Sequence, residues 1–227
     1  MRLLLWSTLL VVFGCTTTDP AAQTTNELSK EELLAFLDTV WVSEQMPIRK
    51  RDSLGKVHGF ESEEFQAQQA IYRANHAINE VKILDLLDTQ GCPDEAIIGE
   101  QGSLTICNVL QHSSNEVRQQ YLPMMRKAVE EKKLAPRLLA RAEDRLATDR
   151  GELQVYGGQI KYYPETQSFD VWPIMDPATV DERRAAIGLE PMAEFLAGRR
   201  FQLEWDVEKQ IERAKAFLQE KENAPSN

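Results

Sequence analysis

The hydrophobic period of the sequence changes once, near residue 150, and this change constrains the fold more than any other feature. Before that point apolar residues recur every three or four positions, which predicts α-helices. Residues 153–156 and 159–163 instead alternate apolar and polar side chains on either side of Gly157-Gly158, a pattern typical of a β-hairpin. The sequence therefore predicts an α+β fold: a mainly helical single domain over residues 27–222 with a small antiparallel β-hairpin or sheet.

Capping residues and helix breakers predict where the elements begin and end. Ser29 and Glu32 form a capping box, which begins a helix that we expect to end before Pro47, with a loop over 48–61. Before residue 150 the other predicted elements are helices over about 63–88 and 101–111, a helix that starts with a capping box of Ser113 and Glu116 and is kinked by Pro123, and a helix over 136–148. After it we expect a strand over 171–174, short helices after Thr179 and Pro191, a last helix over 203–220, and a frayed tail over 223–227.

The long helix over 63–88 carries two stripes of opposite character. Its apolar stripe keeps a spacing of three and four residues, which is typical of a core-facing side. Its polar stripe contains asparagines, which are poor helix formers; this indicates a ligand or a buried polar network, with a tolerated solvent face as the alternative. The apolar stripe is Ala67, Ala70, Ile71, Ala74, Ile78, Val81, Leu84 and Leu87, and the polar stripe is Gln68, Tyr72, Asn75, Asn79 and Lys82.

The first residues have the pattern of an export signal. Arg2 precedes an apolar run from Leu3 to Phe13, which is shorter than the roughly 20 residues that span a membrane. Residues 12–15 resemble the lipobox of bacterial lipoproteins, which implies lipidation of Cys15; an ordinary secretory signal is the alternative. We therefore expect a signal peptide over 1–14, a lipidated Cys15 that attaches the protein to a membrane, a flexible tether over 15–26, and a location in the bacterial cell envelope, on the outer membrane facing the periplasm.

The charge balance and the metal-binding residue types exclude some functions. The chain has 26 Lys and Arg against 36 Asp and Glu, a formal net charge of −10. Non-specific nucleic-acid binding requires an excess of cations, so nucleic acid is not an expected partner. The three cysteines and three histidines show no zinc-ligand spacing, and no motif for a cofactor is present, so neither a metal nor a cofactor is expected.

Polar side chains of the predicted hairpin and of a helix end form the candidate site. Strand alternation would place Gln154, Tyr156, Gln159 and Lys161 on one face, and amides with a phenol are less usual there than Lys, Glu or Thr on a merely solvated strand. His112 ends a predicted helix beside a loop, where an imidazole can exchange protons near neutral pH. It is therefore the catalytic candidate, although a lone histidine is more often structural.

Arginines and further amides complete the candidate site. Arg145 lies in the last turn of a predicted helix, where the helix dipole favours a cation in any case. Arg183 and Arg184 lie in a first helical turn, where cations are disfavoured, and this favours pairing with a carboxylate or an anionic ligand. The candidate ligand-binding residues are Asn79, Lys82, Gln111, Arg145, Gln154, Tyr156, Gln159, Arg183 and Arg184.

Seven short motifs occur in order along the chain: Asn79-x-x-Lys82, Gly91-Cys-Pro93, Gln111-His112, Asp144-Arg145, Gln154-x-Tyr-Gly-Gly-Gln159, Pro173-Ile174-x-Asp176 and Asp181-x-Arg-Arg-x-x-Ile-Gly-Leu189. Together they resemble the signature of a bacterial family of unknown function, over about residues 40–197. The resemblance implies candidate residues but no reaction. The family usually has an aromatic residue in place of Cys92, which implies a packing role and argues against a Cys92–Cys107 disulfide. Gly158 replaces a usual threonine, which suits a type II′ turn.

Three hypotheses remain open at the level of sequence. The first is an envelope lipoprotein that binds a small polar or anionic ligand, with or without acting on it, in a pocket built from helix ends and a β-hairpin. The second is a non-catalytic lipoprotein that binds a protein or glycan partner in the envelope. The third is an internal polar network that holds the helices on the hairpin. Side chains that converge on a cleft favour the first hypothesis, whereas buried and fully paired side chains favour the third.

Overall fold

The structure, a computed structural model, describes residues 27–199 and 203–223 and confirms a mainly helical α+β fold. The expected signal peptide, lipidation site and tether lie outside the described residues, as does the tail beyond residue 223. Within the described residues, no helix is both long and apolar enough to cross a membrane. The elements are α1 (Lys30–His58), α2 (Glu63–Gln90), α3 (Glu95–His112), α4 (Asn115–Glu130), α5 (Pro136–Asp149), β1 (Ile160–Tyr163), β2 (Ser168–Val171), a 3-10 turn (Pro177–Thr179), α6 (Val180–Ala186), α7 (Met192–Ala197) and α8 (Val207–Asn223).

Two apolar clusters hold these elements together. The larger lies among α1 to α5, where Val40, Ile83 and Val109 are almost completely buried. The smaller lies beneath β2, α6 and α7 and includes Ile174 and Met192. Burying one large aliphatic side chain contributes about 1.5–3 kcal/mol, so these clusters provide the main favourable free energy of folding.

The prediction that the first helix ends before Pro47 is wrong. α1 continues through this buried residue to His58, so most of the loop predicted over 48–61 is helical. An interior proline removes a helical hydrogen bond and costs about 3 kcal/mol. The residues beyond it are nevertheless held against α2, where Arg51 donates to Gln69 Oε1 at 2.7 Å. Tertiary contacts therefore outweigh the local preference for a helix end.

The other helices of the core lie closer to their predicted bounds, with two differences. α3 begins at Glu95 rather than near 101, because a backbone break at Gly99, with a φ of 70°, joins a short first turn to the predicted helix. Glycine adopts this left-handed conformation without steric cost. α4 begins one residue later than the predicted capping box: the hydroxyl of Ser114 caps it, whereas the Ser113 hydroxyl donates to the carbonyl of Val109 at 2.8 Å.

The antiparallel sheet is present, but the predicted hairpin is wrong. β1 pairs with β2 in a register that places Ile160 opposite Val171, and the chain turns between the strands at residues 164–167. Residues 153–156 do not form a strand. The strand predicted over 171–174 therefore lies earlier in the chain, as β2.

Gly157-Gly158 is not a hairpin turn, because a helix side chain takes the place of a second strand. Asp144 on α5 accepts the backbone N–H groups of Tyr156, which precedes this dipeptide, and of Gly158 within it. Gln154 pairs with Ile174 through a single parallel bridge rather than with β1. The strand face expected to carry four polar side chains is consequently absent; these side chains are Gln154, Tyr156, Gln159 and Lys161.

Most of the apolar stripe of α2 does not face the core as expected. It is exposed to solvent, and residues of the polar stripe are buried instead. Ile71, Ile78 and Val81 are 45%, 57% and 69% exposed, whereas Gln68 and Asn79 are buried. The polar side is turned toward α1, which supplies hydrogen-bonding partners to α2 through Ser43 and Glu44 (described below). Only the C-terminal part of the apolar stripe, at Leu84 and Leu87, packs into the core.

Candidate functional site

Asp144 fixes the loop over residues 151–159. Its Oδ1 accepts the backbone N–H groups of Val155 and Tyr156 at 2.8 and 2.9 Å, and its Oδ2 accepts that of Gly158 at 2.8 Å. Its side chain is completely buried. Burial raises the pKa of this carboxyl, while the three backbone N–H groups and the charge of Arg184 act in the opposite direction. Asp144 thus replaces the missing strand as the partner of this backbone.

Gln154 closes the same loop with its own amide. Its Oε1 accepts the backbone N–H of Gln159 at 2.8 Å, and its Nε2 donates to the carbonyls of Trp172 and Gln159 at 2.6 and 3.1 Å. The side chain has no exposed surface. Every polar group of this amide is therefore used within the protein, as expected of a residue that determines loop conformation.

The two neighbouring arginines bind the loop from α6. Arg184 is buried, donates to the carbonyls of Tyr156 and Glu190 at 2.7 and 2.6 Å, and lies over the Phe195 ring at 4.7 Å. Arg183 donates to the carbonyl of Val155 at 3.1 Å. Arg183 makes three further donations, to the carbonyls of Met175 and Asp176 and to the Thr179 hydroxyl. We call Asp144, Gln154, Arg183 and Arg184 the loop lock.

A polar cleft opens on the other side of this loop, between the end of α5 and β1. This α5–β1 cleft has a volume of about 170 Å³. Lys161 lies in its wall, with the ammonium group 4.6 Å from the centre of the Trp172 ring. The side chain of Gln159 makes no hydrogen bond to the described residues, although its backbone belongs to the locked loop. The lining residues are Arg145, Thr148, Asp149, Gln159, Ile160, Lys161 and Trp172.

Positive charge exceeds negative charge in the wall of the α5–β1 cleft. Asp149 Oδ2 accepts a hydrogen bond from the buried Arg118 at 2.6 Å. Arg145 Nε lies 3.4 Å from the same oxygen, but this buried nitrogen makes no hydrogen bond to any described residue. Because Arg118 already neutralises Asp149, the cationic charge of Arg145 and Lys161 exceeds the anionic charge of the wall.

A larger aromatic cleft shares Lys161 and Trp172 with the α5–β1 cleft. It lies between the sheet and α8 and has a volume of about 390 Å³. Phe217 contacts Trp172 edge to face, with ring centroids 5.4 Å apart, and Arg213 lies 4.7 Å over the Tyr163 ring. Among the described residues, the buried Tyr163 hydroxyl has no hydrogen-bond partner. The two clefts therefore form one continuous surface on either side of Lys161 and Trp172.

A cluster of ionisable side chains lies where α1, α2 and α3 meet. Glu44 is 4% exposed; its Oε1 lies 3.2 Å from His76 Nδ1 and accepts Asn79 Nδ2 at 2.9 Å. Rings of Tyr72 and His76 stack at 5.8 Å, and the His112 ring stands edge-on to both at 6.3 Å. We call these five residues the histidine cluster.

The two histidines of this cluster have opposite pKa shifts. The hydrogen bond with Glu44 raises the pKa of His76. His112 reaches solvent at the end of α3, but neighbouring side chains shield its ring from water, and this loss of hydration lowers its pKa; the charges of His76 and Arg145 lower it further. The effect of Arg145 connects the histidine cluster electrostatically to the α5–β1 cleft.

The structure brings some predicted site residues together and separates others. Arg145 and Gln159 share the α5–β1 cleft, and His112 is coupled to Arg145. Asn79 belongs to the histidine cluster. Lys82 lines a different surface pocket near the start of α1. Gln111 is buried, and its backbone carbonyl accepts a hydrogen bond from Arg118 at 3.0 Å. Tyr156 contributes its carbonyl to the loop lock, and burial raises the pKa of its phenol.

Sequence reasoning did not identify Glu44 or His76 as site residues, and it placed Lys161 on the polar hairpin face without including it among the ligand-binding candidates. One pattern does point to Glu44. The core-facing positions Leu33, Leu37 and Val40 continue at the same spacing to this carboxylate, and a buried carboxylate needs a partner. The asparagines of the polar stripe on α2 were the only indication of that partner.

The two cysteines among the described residues are structural. Cys92 and Cys107 are both free and line the same small apolar cavity. Burial raises the pKa of Cys92 to about 11 and that of Cys107 to about 12, so neither is a thiolate at neutral pH. Within the described residues, no group of three or more His, Cys, Asp or Glu side chains is placed to hold a metal ion.

The fold and site define a mainly helical α+β domain in which a locked loop borders a polar cleft. The sequence model of a family of unknown function, DUF6624, matches residues 64–202. This range covers more than half of the 227 residues, and the chain belongs to that family. The loop lock, the α5–β1 cleft and the two histidines of the histidine cluster lie inside the matched range, whereas Glu44 lies outside it. No curated protein and no solved structure matches the chain.

Proposed function

We propose that this protein is a lipid-anchored protein of the bacterial cell envelope that binds a small anionic ligand in the α5–β1 cleft. The observation that carries the binding proposal is the placement of two cations, Arg145 and Lys161, in one cleft whose single carboxylate is already paired with Arg118. Charge-assisted hydrogen bonds from a guanidinium to a carboxylate or phosphate are among the strongest in proteins.

Other groups in the wall suit the same ligand. The Gln159 amide can donate to anionic oxygens. The locked backbone of residues 151–159 holds Gln159 in place without contribution from the ligand. A rigid site loses less entropy on binding. The adjoining aromatic cleft can accept an apolar or ring-bearing extension of the ligand beyond Lys161 and Trp172.

Lipid anchoring rests on the sequence around Cys15, which lies outside the described residues. An acidic protein with a net charge of −10 gains little from attraction to anionic lipid, so acyl chains would supply the attachment. Metabolic labelling with palmitate tests this proposal: the wild-type chain should incorporate label, and Cys15→Ser should not. Equal labelling of both chains would contradict it.

The binding proposal is tested with residues 15–227 carrying Cys15→Ser, which retain every described residue. We would measure heat of binding and thermal unfolding with inorganic phosphate, succinate and benzoate at constant ionic strength, since salt screens exposed charges. At least one of these anions should bind and raise the unfolding temperature. A ligand at 100 times its dissociation constant stabilises the native state by about 2.7 kcal/mol, which corresponds to roughly 5–10 °C for a domain of this size.

Matched variants identify the site. The double variant Arg145→Gln/Lys161→Gln should lose at least tenfold in affinity for the anion that binds. Arg126→Gln is the control, because Arg126 is exposed and pairs only with Glu143 among the described residues. Binding that is unchanged in the double variant, equal loss in the control, or no binding of any of the three anions would each contradict the proposal.

A further inference from the structure

The exposed apolar stripe of α2 carries an inference that is independent of the ligand proposal. We call the residues Ala67, Ile71, Ala74, Ile78 and Val81 the α2 seam; Ala70 and Ala77 flank it. All seven are exposed, and the three large side chains are 45%, 57% and 69% exposed. A contiguous apolar strip of this kind on a soluble domain is typical of an interaction surface.

The spacing of the α2 seam fits another helix. Its residues are separated by four, three, four and three positions, which is the 3.5-residue repeat of a helix that packs lengthwise on a partner helix. The opposite side of the same helix carries Tyr72, His76, Asn79 and Ile83, which face the protein's own α1 and core. One side of α2 thus serves the fold, and the other side is without a partner among the described residues.

We propose that the α2 seam binds the same seam of a second copy in antiparallel orientation, around a two-fold axis near residues 72 and 73. In this register Ile71 lies opposite Ala74 of the second copy, and Ile78 opposite its Ala67. Each of the two isoleucines then meets an alanine, which allows close packing without overlap, and Val81 lies opposite Glu64 of the second copy. Isologous packing of this type is the commonest route to homodimers.

Charge complementarity selects the antiparallel orientation. Glu64 lies in the first turn of α2, and Lys82 follows the last seam residue. The antiparallel register places Lys82 of each copy beside Glu64 of the other at both ends of the contact. In a parallel arrangement Glu64 and Lys82 of the two copies would lie at opposite ends of the contact, so this ion pair could not form.

The contact area sets the expected affinity. The overlapping helices from residue 64 to residue 81 extend over about 27 Å at 1.5 Å per residue. A strip one helix wide buries less than the roughly 800 Å² per partner of a standard stable interface. We therefore expect a weak dimer, with a dissociation constant on the order of 0.1 mM, that strengthens with salt because each copy carries net negative charge.

Sedimentation velocity of residues 15–227 with Cys15→Ser, at concentrations up to about 0.5 mM, tests the dimer. The wild-type chain should shift from monomer to dimer with concentration, and Ile78→Glu should remain monomeric while it retains the wild-type circular dichroism and unfolding temperature. Val57→Glu is the control, because Val57 is 73% exposed but lies on α1. A wild-type chain that stays monomeric, or an Ile78→Glu chain that dimerises normally, would overturn the proposal.

A charge exchange tests the orientation. Lys82→Glu and Glu64→Lys should each weaken the dimer by about two- to tenfold, since two symmetric exposed ion pairs are lost. The double variant Lys82→Glu/Glu64→Lys should restore the wild-type dissociation constant. A double variant weaker than both single variants would overturn the antiparallel arrangement. Both measurements are made without an anion, so their outcome does not depend on the ligand proposal.

Discussion

Asp144 and Arg145 are adjacent on α5, yet they belong to regions that use polar side chains in opposite ways. In the loop lock, Asp144, Gln154 and Arg184 are buried and bound to backbone groups, and the half-buried Arg183 is also bound to backbone carbonyls. In the α5–β1 cleft, the side chain of Arg145 is 42% exposed and, among the described residues, pairs only with Asp149. The comparison shows that a polar motif defined by sequence order can combine residues that build a site with residues that bind in it.

This division follows from the cost of burying polar groups. A buried donor or acceptor without a partner costs about 1–3 kcal/mol, so residues that satisfy several backbone groups are needed for the fold whatever the ligand. An unused donor on a side chain at the surface of a cleft costs less free energy, because water reaches the neighbouring groups. Substitutions in the loop lock should therefore change stability, and substitutions in the cleft should change binding.

The largest expected effect is that of Asp144→Asn. The amide would place a donor against at least one of the three backbone N–H groups that the carboxylate now accepts. We expect a loss of about 2–4 kcal/mol in the free energy of unfolding, measured by urea denaturation. Glu143→Gln, which removes only a half-exposed ion pair with Arg126, should cost less than about 1 kcal/mol. Similar losses in both variants would remove the distinction between loop lock and surface.

Arg184→Met should have the next largest effect. It keeps much of the apolar volume over Phe195 but leaves the carbonyls of Tyr156 and Glu190 without their donors. A loss of about 1.5–3 kcal/mol in the free energy of unfolding is expected, with a smaller loss for Arg184→Lys, which retains one donor group. An unfolding free energy equal to that of the wild type would show that the arginine is dispensable for the loop.

A smaller effect is expected in the pH dependence of stability. Because the folded pKa of His76 lies above 6.5, its pairing with Glu44 stabilises the protein fully below pH 6.5, and this stabilisation is lost as the pH rises through the folded pKa. The folded pKa of His112 lies below 6.5, so its contribution is present above pH 6.5 and is lost as the pH falls through the folded pKa.

Unfolding free energies of the wild type, His76→Gln and His112→Gln, measured between about pH 5 and pH 8, check these signs. The stability deficit of His76→Gln relative to the wild type should be greatest at low pH, and that of His112→Gln at high pH. Deficits that change with pH in the same direction would contradict the account of the histidine cluster.

The sequence was sufficient for the fold class and for most helix positions, because apolar periodicity and capping act locally. It was insufficient where distant groups decide the outcome. Contacts between α1 and α2 carry a helix through Pro47, and Asp144 binds the backbone around Gly157-Gly158, whose local sequence favours a hairpin turn. The apolar stripe of α2 was wrongly expected to face the core. The buried polar network, one of the interpretations of its asparagines, is present because Glu44 on another helix accepts a hydrogen bond from Asn79.

The candidate site was predicted only in part, again because groups distant in sequence decide which residues meet. Arg145 and Gln159 were identified and share a cleft with Lys161, which strand alternation had placed on the same face as Gln159. Gln154, Arg183 and Arg184 were chosen as polar residues in unusual places. Their positions are explained by backbone carbonyls and N–H groups, which carry no sequence signature.

The most direct test of the account is a urea denaturation of Arg145→Gln with and without the anion that the wild type binds. The account predicts an unfolding free energy within about 0.5 kcal/mol of the wild type in the absence of anion, together with loss of the stabilisation that the anion gives the wild type. A variant that loses as much stability as Asp144→Asn but is still stabilised by the anion would contradict it.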